Sequence, residues 1–223
     1  MARIEGGAWL GRLVAWLVLV GALAAFAYIG RAAGGDPPED VLYRYDTAVG
    51  SAILYGLVLA TVLLICRGAP TRALLALRRP KSWGQAAGIA LAIFGGMLVL
   101  GVALDPFLDA GEEQGLTPEE WEADRADAFA ANAVVVAGVA PIVEELTYRV
   151  LGFSLLQRFG QAAAILIVGG IFGLGHGLIT ALPILTAFGI GLAFLRSRTE
   201  SIYPPILLHA VFNGLSLALA VAY

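Results

Sequence analysis

The sequence has few charged residues, one cysteine and two histidines. Asp, Glu, Lys and Arg make up 14% of its 223 residues, whereas hydrophobic residues make up 59% and the mean hydropathy is +0.83. This composition excludes a water-soluble fold, and it excludes intrinsic disorder because the chain has ample apolar surface to bury. We therefore expect an integral membrane protein.

The sequence also lacks an excess of positive charge. Fourteen Lys and Arg residues stand against 17 Asp and Glu residues, which gives a formal net charge of -3 at pH 7. The basic surface that nucleic-acid binding requires is absent, so nucleic acid is not an expected partner. The single cysteine, Cys66, excludes an intramolecular disulfide framework and a thiolate zinc cluster, and it is interpreted as a small buried residue.

Long apolar runs predict the fold class, because a helix needs about 20 mostly apolar residues to cross a bilayer. The sequence predicts an all-α transmembrane bundle of about seven spans, in which residues 1–223 form a single membrane domain. The fourth run continues to about residue 159. The seven runs are 13–30, 47–66, 83–104, 128–143, 162–180, 182–195 and 201–223.

The charges between these runs predict the orientation, because short cytoplasmic loops are enriched in Lys and Arg. Five basic residues follow the second run, and nine acidic residues against one arginine occupy segment 105–127. A bundle with its N-terminus inside places the basic loops in the cytoplasm and the acidic segment outside. Within that segment, residues 117–120 (Thr-Pro-Glu-Glu) resemble a capping box and predict a short surface helix.

Two adjacent glutamates interrupt the fourth run, where ionisable side chains are costly and usually functional. Residues four apart share a helix face, so Glu145 is predicted to pair with Arg149. Glu144 then points elsewhere, with Tyr148 one turn beyond it, and is the candidate general base. The alternative is that the span ends near Val143, with these side chains solvated at the interface.

Both histidines lie in other apolar runs. His176 stands four residues after Phe172 among several glycines, and His209 stands four residues before Asn213. Each motif has a structural alternative: the first is also typical of a glycine surface for helix packing, and the second of hydrogen bonding between helices.

The predicted depth of these groups favours a shared site. A rise of about 1.5 Å per residue places them roughly 14 to 23 Å from the inner surface of the membrane. The four side chains at this level are Glu144, His176, His209 and Asn213. A carboxylate, two imidazoles and a carboxamide can together hydrolyse an acyl bond without a covalent intermediate.

The motifs resemble those of the CPBP family, the membrane endopeptidases related to CAAX prenyl proteases and to bacteriocin-processing or immunity proteins. The resemblance covers residues 128–213, the predicted catalytic core. It rests on Glu144-Glu145-x-x-x-Arg149, Phe172-x-x-x-His176 and His209-x-x-x-Asn213, in this order.

The resemblance implies roles for these residues. Glu144 and His176 would activate the hydrolytic water, and His209 with Asn213 would form the oxyanion hole. The supporting residues, which would shape the site, are Glu145, Arg149, Tyr148 and Phe172. The chemistry requires no metal, although zinc held by Glu144, His176 and His209 is an open alternative.

The function expected from this resemblance is cleavage of a membrane-associated peptide or protein within the lipid bilayer, in the inner membrane of a bacterium. One alternative is a non-catalytic immunity or interaction protein on the same scaffold. Another is a carrier or haem-binding protein that uses the two histidines.

Overall fold

The computed structural model describes residues 6–34, 38, 40–69, 76–108, 113 and 121–222. Every regular element within these ranges is helical, which confirms the all-α prediction. A short 3-10 helix, Val41–Tyr43, precedes the second of the seven longer helices that the described chain forms. These are α1 (Gly6–Gly34), α2 (Tyr45–Cys66), α3 (Trp83–Leu108), α4 (Ala123–Phe159), α5 (Gln161–Leu174), α6 (Leu182–Thr199) and α7 (Tyr203–Ala220).

Several of these helices can span a membrane. Five of them, α1, α2, α3, α4 and α7, are long and apolar enough to do so. The 14 residues of α5 are fewer than a full span needs, and α6 carries Arg196 and Arg198 in its last turn. Each helix overlaps one predicted run, whereas the count of seven spans and the internal N-terminus stay predictions.

The predicted fifth run, 162–180, is too long. Helix α5 ends at Leu174, and His176 lies in the turn that follows it. Gly177 has φ +66°, in the left-handed region, and a Cβ at this position would lie 2.7 Å from Cβ of Ala27 in α1. The turn therefore requires glycine, and it stops the helix before the predicted end.

Helix α4 combines α-helical and π-helical stretches. The π-helical stretches are Val135–Val139 and Leu146–Gly152, and the α-helical segment Ala140–Glu145 lies between them. Pro141 stands in the first turn of that segment, and a proline has no N–H to donate to the preceding turn. The predicted glutamate pair closes the segment, directly before the second π-helical stretch. Such π-helical insertions are frequent at functional sites.

Helix α1 holds the second π-helical stretch through two tryptophans. Trp16 Nε1 donates to the carbonyl of Thr147 at 3.0 Å, and Trp9 Nε1 donates to the carbonyl of Leu155 at 3.0 Å. The Trp16 ring is fully buried against Gly152, where a Cβ would lie 2.3 Å from the ring. These contacts fix this part of α4 against α1.

Glycines allow α5 and α6 to pack closely. A Cβ on Gly169 would lie 2.4 Å from the side chain of Ile190 and 2.7 Å from its backbone nitrogen. A Cβ on Gly173 would lie 2.4 Å from Oγ1 of Thr186. Small residues at these two positions let the backbones approach, so the interpretation as a packing surface is confirmed for Gly169 and Gly173, whereas Gly170 faces open space.

The predicted acidic segment is described only in part. The surface helix expected at residues 117–120 lies outside the described residues. The Glu113 carboxylate accepts hydrogen bonds from N–H of Ile179 (2.7 Å), the hydroxyl of Thr180 (2.7 Å) and N–H of Ala181 (2.9 Å), directly before α6. Arg31 at the end of α1 donates to the Glu113 carbonyl at 2.6 Å. Glu113 therefore links α1 to the loop that follows His176.

Candidate active site

Glu145 and Arg149 form a fully buried ion pair in α4. Arg149 Nη1 lies 3.2 Å from Glu145 Oε1, and both side chains are 0% exposed. The predicted pairing is present, and the alternative in which the helix ends near Val143 and leaves these groups in solvent is wrong. Arg149 Nη2 also donates to the carbonyl of Gly189 at 3.1 Å, which connects α4 to α6.

His209 of α7 contacts both glutamates of α4. Its Nδ1 lies 3.0 Å from Glu145 Oε1, and its side chain is 3% exposed. A carboxylate paired with an arginine only accepts hydrogen bonds, so Nδ1 carries the proton and donates. The other ring nitrogen, Nε2, lies 3.8 Å from Glu144 Oε2.

Glu144 is the more accessible of the two glutamates, with 16% of its side chain exposed. Its Oε1 accepts a hydrogen bond from the hydroxyl of Tyr55 in α2, at 2.7 Å. Its Oε2 is buried and has no hydrogen-bond partner among the described groups. One oxygen of this carboxylate is therefore held in place by α2, while the other makes no hydrogen bond within the described part of the chain.

Tyr55 is a site residue that the sequence analysis does not single out. The sequence carries one signal for it, a hydroxyl group in the middle of the apolar run 47–66. Its partner lies 89 positions later in the chain, so the contact depends on how α2 packs against α4. Local sequence patterns do not contain that information.

Aromatic rings surround the polar groups. The guanidinium carbon of Arg149 lies 4.2 Å from the ring centroid of Phe172, which is fully buried. The His209 ring meets Phe172 at 5.7 Å and Phe188 at 5.4 Å between centroids, both edge-on. Apolar walls of this kind exclude water and strengthen the hydrogen bonds and ion pairs inside them.

Tyr148 packs beside the same aromatic group. It is buried, and its ring meets Phe172 edge-on at 5.4 Å between centroids. A Cβ on Gly175 would lie 2.6 Å from the Tyr148 hydroxyl oxygen. Tyr148 therefore packs directly against the turn that contains His176.

His176 is bonded to a backbone carbonyl and not to Glu144 among the described contacts. Its Nδ1 is 2.8 Å from the carbonyl of Phe172, and the centroids of these two rings are 4.7 Å apart. Among the described contacts, no hydrogen bond or ion pair joins His176 to Glu144. The imidazole nearest to Glu144 is that of His209, and Phe172 contacts both imidazoles.

Asn213 lies one turn beyond His209 in α7 and faces the first π-helical stretch of α4. Its amide nitrogen Nδ2 donates to the carbonyl of Val136 at 2.9 Å. This contact matches the alternative of a hydrogen bond between helices. A carboxamide has two N–H donors, and the described contacts use one of them.

The zinc alternative has no preformed set of ligands among the described residues. Within the described part of the chain, no group of three or more His, Cys, Asp or Glu side chains is arranged to hold a metal ion. Nδ1 of His176 is bonded to a backbone carbonyl, and Nδ1 of His209 is bonded to Glu145. These bonds use Nδ1 and leave Nε2 of both rings without a hydrogen bond among the described groups, as in histidines that bind metal. Zinc held by Glu144, His176 and His209 therefore stays an alternative prediction.

Comparison with known proteins identifies the family. Residues 126–215 match the family described as "Type II CAAX prenyl endopeptidase Rce1-like". The chain is also 30% identical over 206 residues to "Putative membrane peptidase YdiL" of Bacillus subtilis (strain 168), and this alignment covers 88% of the chain and 80% of the relative. The chain belongs to the Rce1-like CAAX protease family. No solved structure matches it.

Membership confirms the resemblance derived from the sequence motifs and makes this protein a membrane peptidase of the CAAX protease family. The matched region contains all of the predicted site residues. The match itself assigns no role to any of them.

Proposed function

We propose that this protein hydrolyses a peptide bond of a membrane-associated protein or peptide with a water molecule activated by Glu144. The observation that carries the proposal is the position of Glu144 Oε2, which has no hydrogen-bond partner among the described residues and lies 3.8 Å from His209 Nε2. This separation is too long for a direct hydrogen bond. A water molecule within hydrogen-bond distance of both atoms fits it.

In the proposed reaction, Oε2 of Glu144 takes a proton from this water while the water oxygen attacks the carbonyl carbon of the substrate. The carbonyl oxygen becomes an oxyanion. When the tetrahedral intermediate collapses, the carbon–nitrogen bond breaks and the leaving amine takes the proton from Glu144. No covalent enzyme intermediate forms, so the glutamate acts as general base and then as general acid.

Several neighbours are proposed to assist Glu144. The free N–H of Asn213 is one donor to the oxyanion, and His209 Nε2 is a second when both of its ring nitrogens carry protons. His176 Nε2, the ring nitrogen not bonded to the Phe172 carbonyl, is proposed as a further contact to the water. The buried groups Glu145 and Arg149 would hold the His209 ring in this orientation.

Tyr55 is proposed to hold the general base. Its hydroxyl occupies Oε1 of Glu144, so the other oxygen is the one that faces His209. Hydrogen bonds to a charged group fix its orientation more strongly than bonds between neutral groups. Catalysis is sensitive to such positioning, since small displacements of a reacting group lower the rate steeply.

The substrate is proposed to reach the site from the membrane, because the polar groups belong to helices that are long and apolar enough to span a bilayer. The family description names a CAAX prenyl endopeptidase, and a prenylated CAAX peptide is therefore the first probe to use. The relative in Bacillus subtilis supports the plasma membrane of a bacterium as the location.

The test uses the full chain in proteoliposomes with three quenched fluorescent probes. These are a peptide ending in a farnesylated CAAX sequence, the same peptide without the farnesyl group, and a peptide with one apolar span. We expect Glu144→Gln to lower the cleavage rate by roughly 100-fold or more, because the general base is lost. Glu122→Gln is the matched control, since Glu122 pairs with Arg125 at the start of α4. Cleavage by Glu144→Gln at the wild-type rate would overturn the mechanism.

A further inference from the structure

A cleft of about 450 Å³ opens at the basic end of the bundle, outside the candidate active site. It lies between the first turns of α3 and α7 and the short segment that precedes α3. The lining residues used below are Leu77, Arg78, Arg79, Trp83, Tyr203 and Leu207.

The segment before α3 is fixed to the turn between α6 and α7. The N–H of Ile202 donates to the carbonyl of Ala76 at 3.3 Å, and Arg78 Nε donates to the carbonyl of Glu200 at 2.7 Å. The Arg78 guanidinium also pairs with the Glu200 carboxylate at 3.0 Å. The cleft is therefore built on bonded backbone, and the charge of Arg78 is balanced.

Arg79 gives the cleft its net positive charge. Its side chain is exposed, and it has no hydrogen-bond or ion-pair partner among the described residues. None of the described residues that line the cleft is acidic. An anion bound beside Arg79 would find this guanidinium free to form two parallel hydrogen bonds, the geometry that suits phosphate.

The aromatic residues place the cleft at the depth of lipid headgroups. Trp83 is the first residue of α3 and Tyr203 the first residue of α7, and both helices are candidate spans. Trp and Tyr are enriched at this level of membrane proteins, where one side of the ring is apolar and the other is wet. Leu77 and Leu207 continue the cleft as exposed apolar surface.

We propose that this cleft binds an anionic phospholipid of the surrounding bilayer. The phosphate group contacts Arg79, with Arg78 beside it, and the ring edges of Trp83 and Tyr203 meet the glycerol region. The acyl chains lie along Leu77 and Leu207. Basic pockets between membrane helices bind anionic headgroups in this way, and a free phosphate ion would leave the apolar part of the cleft uncovered. The proposal is independent of the peptidase mechanism.

Native mass spectrometry of the delipidated full chain in detergent tests the proposal, with phosphatidylglycerol and phosphatidylcholine as the two probes. We expect phosphatidylglycerol to bind more tightly. Arg79→Gln weakens its binding by about fivefold, the effect of one basic residue near an anionic lipid. Arg67→Gln is the matched control, because Arg67 is an exposed arginine directly after α2 and does not line the cleft. It should leave binding unchanged.

A second measurement locates the lipid. In nanodiscs of phosphatidylcholine, a small fraction of phosphatidylglycerol with brominated acyl chains should quench tryptophan fluorescence, and Trp83→Phe should remove most of that quenching. Equal affinity for the two lipids, or equal loss in Arg67→Gln and Arg79→Gln, would contradict the proposal. Complete displacement of phosphatidylglycerol by inorganic phosphate would also contradict it and indicate a site for free anions.

Discussion

At the scale of a single residue, the hydroxyl of Tyr55 is expected to contribute to catalysis by holding Glu144. It donates to Glu144 from another helix, at 2.7 Å, and the second carboxylate oxygen has no hydrogen bond within the described part of the chain. We expect Tyr55→Phe to lower kcat roughly tenfold, because a hydrogen bond to a charged group is lost while the ring still fills its place. The KM and the thermal midpoint should change little. Steady-state kinetics on a cleaved probe separate these effects.

The control for this prediction is Tyr45→Phe, which removes a hydroxyl at the start of the same helix. That hydroxyl interacts with Asp127 rather than with the candidate base. A normal kcat in Tyr55→Phe, together with an inactive Glu144→Gln, would show that the base needs no hydrogen bond from α2. Full activity in both variants would instead contradict the proposed mechanism as a whole.

The buried pair of Glu145 and Arg149 gives a prediction about stability. Arg149→Met leaves a carboxylate without its cation at a fully buried position, and we expect a loss of about 3–5 kcal/mol in the free energy of unfolding. The double variant with Glu145→Gln should recover part of this loss, since no unpaired charge remains. Thermal midpoints in detergent measure both. A double variant as unstable as the single one would show that side-chain packing, and not the unpaired charge, causes the loss.

Some residue contacts were predictable and others were not. The pairing of Glu145 with Arg149 follows from their spacing, because residues four apart share a helix face. The contacts of His209 with both glutamates, and of Tyr55 with Glu144, join different helices and depend on tertiary packing. The sequence shows that these histidine and glutamate side chains are unusual in apolar runs. It does not show which of them are in contact.

At the scale of a single helix, hydropathy predicts where the helices lie along the chain. Local sequence patterns do not predict the π-helical stretches within them. The two π-helical stretches of α4 each contain a carbonyl bonded by a side chain of another helix. Asn213 donates to Val136 in the first stretch, and Trp16 donates to Thr147 in the second. These partners satisfy carbonyls where the regular helical pattern changes. Because the partners are distant in sequence, periodicity alone does not reveal the stretches.

The contact between α5 and α6 gives a matched pair of glycine substitutions. Gly169→Ala places a methyl group 2.7 Å from the backbone nitrogen of Ile190, and we expect it to cost about 1–3 kcal/mol of stability through overpacking. Gly170→Ala has open space around the new methyl group, so better helix propensity should make it neutral or stabilising. Thermal unfolding of the two variants in detergent checks this. Equal midpoints would show that the helices separate readily.

At the scale of the whole molecule, the candidate site depends on most of the bundle. Helix α4 supplies the glutamates, α2 supplies Tyr55, and α7 supplies His209 and Asn213. Phe172 of α5 and Phe188 of α6 form the aromatic wall. The sequence predicts this shared site, because the rare polar side chains of separate apolar runs lie at a common depth. The turn after α5 adds His176, and that turn is itself held by α1 and by Glu113.

Glu113 is expected to make the stability of the bundle depend on pH. Burial raises the pKa of its carboxyl group, but hydrogen bonds from the backbone of Ile179, the hydroxyl of Thr180 and the backbone of Ala181 outweigh it, so the pKa lies below the ordinary value of 4.5. A carboxylate whose pKa is lowered by folding stabilises the folded protein at pH values above the pKa that the group has in the unfolded chain. That contribution disappears as the pH falls through the lowered pKa.

We therefore expect Glu113→Gln to lower the thermal midpoint at pH 7, where the wild-type carboxylate is charged and accepts three hydrogen bonds. The difference from the wild type should shrink as the pH falls below 4.5, since protonation then weakens the same bonds in the wild-type chain. Asp124→Asn is the control, because this exposed side chain has no hydrogen-bond partner among the described residues. Thermal midpoints of the three proteins in detergent, measured from pH 7 to pH 3, provide the comparison. A difference between Glu113→Gln and the wild type that stays constant or grows towards acid pH would show that the charge of Glu113 does not hold the loop between His176 and α6.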